Sequence, residues 1–143
     1  MRTSFALIAA VLLAGCAGTG VAPSGGGTAG PAKVTGTVTY LQRIALPPTA
    51  TIKVSLVDVS RADAPSITIG EQVIQTAGRQ VPFAFEIAYD PAKIEERNSY
   101  AVQARIEDAG RLLFISDTRQ SVITRGAPTN VDIVVRPVGG APK

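Results

Sequence analysis

From residue 33 onward apolar and polar side chains alternate at a period of two, the repeat of a strand with one face buried. Val34, Gly36, Val38 and Tyr40 interleave with Thr35, Thr37 and Thr39, and Gly36 marks a position for a bulge. A second strand reads Ile52, Val54 and Leu56 against Thr51, Lys53 and Ser55. A third runs from Ser66 to Gln75, with Ile67, Ile69 and Val73 expected on the buried side. The fourth pairs Val81, Phe83, Phe85, Ile87 and Tyr89 with Pro82, Ala84, Glu86 and Ala88. Pro82 has no N–H to give a ladder, so that strand should start at a sheet edge.

Asp90 to Asn98 predicts a helical turn, with Asp90 as N-cap, Pro91 at the first position and Asn98 as a left-handed stop. A fifth strand carries Tyr100, Val102, Ala104 and Ile106. Asp108-Ala109-Gly110 then turns the chain into a sixth, Arg111 to Asp117. This strand is apolar on both sides and should lie centrally or under a loop. Val131, Ile133 and Val135 form the last. Seven short strands and one helical turn predict an all-β fold, an antiparallel immunoglobulin-like Greek-key sandwich. Ile94 followed by Tyr100 at the head of an alternating strand matches a tyrosine corner.

The first thirty residues follow no such pattern. Met1-Arg2, the apolar run Phe5 to Leu13 and the small residues Ala14-Gly15 before Cys16 have the three parts of an export signal, and Leu13 to Cys16 resembles a bacterial lipobox. The apolar run is too short to span a bilayer, which takes about twenty residues. The expected organisation is a signal peptide over 1–15, a lipidated N-terminus and disordered Gly/Ala/Pro-rich tether over 16–32, a β-sandwich over 33–138 and a frayed tail over 139–143. A thiol in an extended, accessible backbone suits lipid transfer, and small residues at 14 and 15 suit the peptidase that follows. Bacterial lipoproteins of this type carry diacylglycerol on sulfur and usually an acyl chain such as palmitate on the new amine. One chain binds a bilayer marginally; two or three hold it for good. Ala17, where inner-membrane retention uses Asp, implies anchoring in the outer membrane with the domain facing the periplasm.

Composition narrows the chemistry. The sequence contains 14 Lys+Arg, 11 Asp+Glu and no histidine. Without histidine, Ser-His-Asp and Cys-His catalysis and most transition-metal sites fall away, and the one cysteine is committed to lipid. The remaining carboxylates (Glu95-Glu96, Glu107-Asp108, Asp117, Asp58, Asp63) sit in turns rather than as an opposed catalytic pair. None has the spacing of a dedicated calcium loop. Basic residues are scattered singly, without the patch of a nucleic-acid binder. No enzymatic activity, cofactor, metal or nucleic-acid partner is expected.

The least ordinary stretch is Ile44-Ala45-Leu46-Pro47-Pro48, apolar residues where a loop should be polar. It is either a plug over one end of the sandwich or an exposed patch that receives a partner, with Ile44, Leu46, Pro47 and Pro48 as contact residues. Free strand edges offer a second route to a partner.

The segments Val34 to Tyr40, Arg43 to Ser60, Pro82 to Ile87 and Tyr100 to Val102 resemble the YbaY/YscW-type bacterial lipoproteins, also called the type III secretion lipoprotein chaperone family. The resemblance spans about 34–136. It implies a non-enzymatic envelope lipoprotein that binds another envelope component, and a pilotin-like chaperone if that component is a secretin. The alternative is a carbohydrate- or small-ligand-binding accessory lipoprotein, which would need at least two of Tyr40, Tyr89 and Tyr100 exposed together.

Overall fold

The computed structural model describes residues 31–139. The leader, Cys16, all but the last two residues of the tether and the end of the tail lie outside that range. The described chain is all-β. Its strands are β1 (Ala32–Thr39), β2 (Thr51–Asp58), β3 (Ile67–Gln75), β4 (Phe83–Tyr89), β5 (Tyr100–Asp108), β6 (Arg111–Ser116), β7 (Gln120–Val122) and β8 (Asn130–Pro137). The seven strands read from the alternation are all present. The additional one, β7, is only three residues long, too short for periodicity to register, yet it pairs with β5 and buries Val122 completely.

The strands do not separate into two antiparallel sheets. They hydrogen bond along one path, β3-β2-β5-β6-β8-β1-β4, and β1 joins β8 in parallel. Half-buried alternation is the same for either strand direction, so the sequence carries no sign of this parallel pair. The two ends of the path, β3 and β4, face each other and nearly close the sheet into a barrel. At that seam there is no room for a side chain on Gly70, whose Cβ would lie 2.7 Å from Cγ2 of Ile87. Gln72 Oε1 accepts the Glu86 N–H at 2.7 Å, so a side chain bridges where a ladder would otherwise run. As an end strand, β4 fits the edge position expected from Pro82, and β6 lies in the interior of the path.

Inward positions of the strands meet in one core, including Val34, Ile52, Val54, Leu56, Phe85, Val102, Ile106 and Ile133. The third strand departs from expectation. A register shift opposite Leu56/Val57 changes which side chains face in. Val73 lies opposite Lys53 and is exposed, while its neighbour Ile74, opposite Ile52, packs on the core. Ile69, the extra residue at the shift, also packs there, and Ile67, opposite Asp58 at the strand's end, is exposed.

The helical turn is short, a 3-10 turn at Pro91–Lys93 with the Asp90 carboxylate accepting the Ala92 N–H at 2.9 Å. It ends at Lys93, so Asn98 does not stop it. Asn98 instead donates from Nδ2 to Asp58 Oδ2 at 3.0 Å, tying this loop to the end of β2. Burial opposes ionisation of Asp58, but donors on Ser60 and Asn98, helped by Arg61, outweigh it and hold the carboxyl below its ordinary range. The tyrosine-corner contact forms: the Glu95 N–H donates to the Tyr100 hydroxyl at 3.0 Å.

Gly36 lies where β1 is squeezed between β4 and β8, opposite Phe85 and Val131. The β1 register is continuous through it, so the expected bulge is absent. The glycine is required by close approach, because a Cβ there would stand 1.7 Å from the Val131 carbonyl oxygen. Gly36→Ala should therefore force β1 away from β8, costing about 1–3 kcal/mol as overpacking. Thermal denaturation of the variant checks this; an unchanged midpoint would contradict the close approach.

Candidate partner-binding groove

The strands run between two poles. One pole gathers the loops 40–50 and 76–82, the β5–β6 turn and the end of β8. The other gathers the loops 59–66, 90–99 and the segments flanking β7. The apolar loop singled out in the sequence belongs to the first pole, and its residues divide. Leu46 is buried at 4 % exposure, Pro47 is half-buried, and Ile44 and Pro48 face solvent. Cys16 is outside the described residues.

A proline-rich segment cannot join a ladder, so its backbone must find other partners. Gln80 provides them. Its Oε1 accepts the Leu46 N–H at 2.8 Å and its Nε2 donates to the Leu46 carbonyl at 3.3 Å, the exchange one strand residue makes with another. The Thr76 hydroxyl sits between the Pro47 and Pro48 carbonyls at 3.1 and 3.3 Å. The Tyr40 hydroxyl donates to the Ile44 carbonyl at 2.6 Å, and its ring stacks on Phe114 with centroids 4.7 Å apart. Thr76 and Tyr40 are themselves buried, so the loop is fixed from below.

Opposite this loop β6 and β8 part company. Their pairing ends at Phe114 with Pro137, and the Val138 N–H gives a last bond to the Leu113 carbonyl at 2.9 Å. Between the fixed loop, β6 and the outgoing chain lies a groove of about 410 Å³. Its apolar lining includes Ile44, Leu46, Leu112, Leu113, Phe114 and Val138, and Arg111 stands at its rim. The loop is thus plug and wall at once, with Leu46 filling the core end and Ile44 presenting outward.

The opposite pole has hollows of about 400 Å³ around Asp58 and Asn98, about 560 Å³ around Tyr89, Ile94 and Arg125, and about 300 Å³ around Ser99 and Ser121. Several charged groups of that pole are engaged in its own loops. Asp58 is held by Ser60 and Asn98, Glu95 pairs with Arg97 at 2.7 Å, and Arg125 donates to the Arg97 carbonyl at 3.0 Å. Tyr40, Tyr89 and Tyr100 are 6, 9 and 2 % exposed, so no two of them offer a stacking face. Sequence reasoning reached the loop but missed Gln80, Thr76 and the β6/β8 wall. Gln80 and Thr76 look like ordinary turn residues, and their partners lie about thirty positions away.

Comparison with known proteins bears out the family resemblance. Residues 30–135 match the family described as type III secretion system lipoprotein chaperone (YscW). The uncharacterized lipoprotein YbaY of Escherichia coli K12 is 40 % identical over 105 residues, which is 73 % of this chain and 55 % of YbaY. The chain therefore spans about half the length of that curated relative. An alternative pilotin from the type II secretion system of Vibrio cholerae is 46 % identical, with a TM-score of 0.73 over 76 % of this chain and 98 % of the pilotin chain.

Tyr40→Phe tests the support beneath the loop. Losing the bond to Ile44 should cost about 0.5–1.5 kcal/mol at neutral pH. Burial raises the Tyr40 pKa above 10.0, so its neutral form favours the folded state. That contribution is complete below the unfolded pKa and is lost as pH rises through the folded one. Urea titrations at pH 7 and above pH 10 should show the variant less stable at neutrality and with a shallower alkaline decline. Equal stability and equal decline would show that the hydroxyl does not hold the loop.

Proposed function

The chain belongs to the YscW family of type III secretion system lipoprotein chaperones, and we propose that it acts as a lipid-anchored, pilotin-like chaperone that binds a secretin subunit through the groove beside Ile44. The observation that carries this reading is the 46 % identity to a type II secretion pilotin, maintained over nearly all of that protein's chain. The family is one of chaperones, not an enzyme class. Binding, rather than turnover, is also what an apolar groove on a rigid sheet is suited to.

In this reading Cys16 carries the lipid and the residues after it are the tether. The first described strand starts at Ala32, paired with Tyr89 at the pole opposite the groove. An eight-residue strand is about 26 Å long, so the groove stands off from the point where the tether leaves. With the lipid in the outer membrane, the tether-exit pole lies toward the bilayer and the groove faces the periplasm. A tether of about fifteen residues has a typical reach of about 20–25 Å, leaving the domain free to turn toward a passing subunit. Ile44, Leu46, Pro47 and Pro48 serve as the loop side of the contact, with Leu46 acting through the shape it gives the wall.

Chemical crosslinking of intact membranes followed by purification of the tagged protein tests the reading. The wild type should recover a secretin from the membrane fraction, and Cys16→Ser should leave that fraction with its leader uncleaved. Absence of secretin, together with normal secretion in a deletion strain, would overturn the pilotin role.

A further inference from the structure

Charge is distributed unevenly between the poles. The loops of the tether-exit pole carry both signs, among them Arg61, Lys93 and Arg97 against Asp63, Glu95 and Glu96. At the groove pole the loops bring Arg43 and Arg79, and β6 begins with Arg111, all exposed. Two carboxylates lie nearby: Asp108, opposite Arg111 across the β5–β6 turn, accepts from the Thr49 hydroxyl at 2.6 Å, and Glu107, opposite Leu112, pairs with Arg105 at 3.1 Å. None of these three arginines is in a salt bridge among the described residues; Arg61, Lys93 and Arg125 of the other pole are not either, but there Asp63 and Glu96 share the surface with them. Arg79 lies over the Phe83 ring at 5.5 Å and donates to the Gln75 carbonyl, so it is positioned but not neutralised. Beside these cations are exposed apolar side chains, Leu41 at 79 %, Val138 at 45 % and Ile44 at 39 %.

We infer that the groove recognises a polypeptide segment in which a few large apolar side chains are flanked by carboxylates, with Arg43, Arg79 and Arg111 selecting the flanks. The inference rests on the reading of this groove as the partner-binding face and adds the chemistry of what binds there. A concave wall of Leu46, Leu112, Leu113 and Phe114 accepts inserted side chains, whereas a bilayer presents a flat surface. The groove also lies at the pole away from the tether exit, where an anchored domain meets soluble segments before lipid. Guanidinium groups suit carboxylates because their donors match both oxygens at once. Their exposure makes the selection dependent on ionic strength.

Fluorescence anisotropy of the full-length lipoprotein in neutral detergent micelles tests this with three labelled peptides. All share one Leu/Ile core, flanked by Glu, Gln or Lys. The Glu-flanked peptide should bind about tenfold tighter than the Gln-flanked one at low salt, as expected for a few exposed ion pairs. That preference should shrink in high salt and fall to the part Arg79 alone sustains in Arg43→Gln/Arg111→Gln, whose thermal midpoint should match the wild type. Ile44→Ser should weaken all three peptides. Should that substitution unfold the protein, Val138→Ser reports on the opposite wall instead. Equal binding of the three peptides, or none, would overturn the inference. So would phosphatidylglycerol in the micelles displacing the Glu-flanked peptide through the same arginines, which would assign the pole to lipid. Secretin recovery from crosslinked membranes with no preference among the peptides would leave the pilotin role standing and remove this inference alone.

Discussion

The groove depends on one side-chain amide. Leu46 sits in a segment that its prolines exclude from any ladder, yet its side chain is drawn into the core, so its N–H and carbonyl need partners away from water. Gln80 meets both with a single amide, while the one hydroxyl hydrogen of Thr76 is shared between the two proline carbonyls, of which Pro47 also accepts the Ala50 N–H. Gln80 and Thr76 flank the turn between β3 and β4, the strands at the two ends of the sheet path. The loop is thereby coupled to the seam where the barrel nearly closes. A wall built this way keeps its shape without a strand beneath it, which lets exposed apolar residues remain exposed rather than collapse inward.

Rigidity has a consequence for binding. A preformed groove avoids most of the ordering cost that a flexible loop would incur when a partner arrives. The Tyr40–Phe114 stack joins the floor of the groove to the end of β1, and Gly36 allows β1 to fit between β4 and β8. Packing deep in the sheet and the shape of the partner face are therefore parts of one arrangement. At the other pole, where β1 begins beside Tyr89, Asp58, Asn98 and Tyr100 secure the loops between β2 and β3 and between β4 and β5. The two poles are specialised, one braced by satisfied polar groups, the other left apolar and cationic.

Much of this was legible in the sequence, because a strand with one wet face writes its burial into every second residue. The strands β1 to β5 and β8 follow from that rule, β6 from its continuous apolar run, and the Tyr100 contact from a local spacing. What was not legible depends on residues far apart in the chain. The parallel β1/β8 pair, the closing seam at Gly70 and the swapped face of β3 come from neighbours that alternation does not encode. Gly36 was marked as special, but only its distance to Val131 explains why. The apolar loop stood out, and its dual character did not, since Gln80 and Thr76 carry no local signature of a clamp.

The central claim is that the partner meets the Ile44 pole and not the tether-exit pole. A photo-crosslinking amino acid placed in living cells at Ile44, and separately at the still more accessible Ile67 on the far pole, tests it most directly. The account predicts a secretin adduct from position 44 and none from position 67. An adduct from 67 with none from 44 would contradict it.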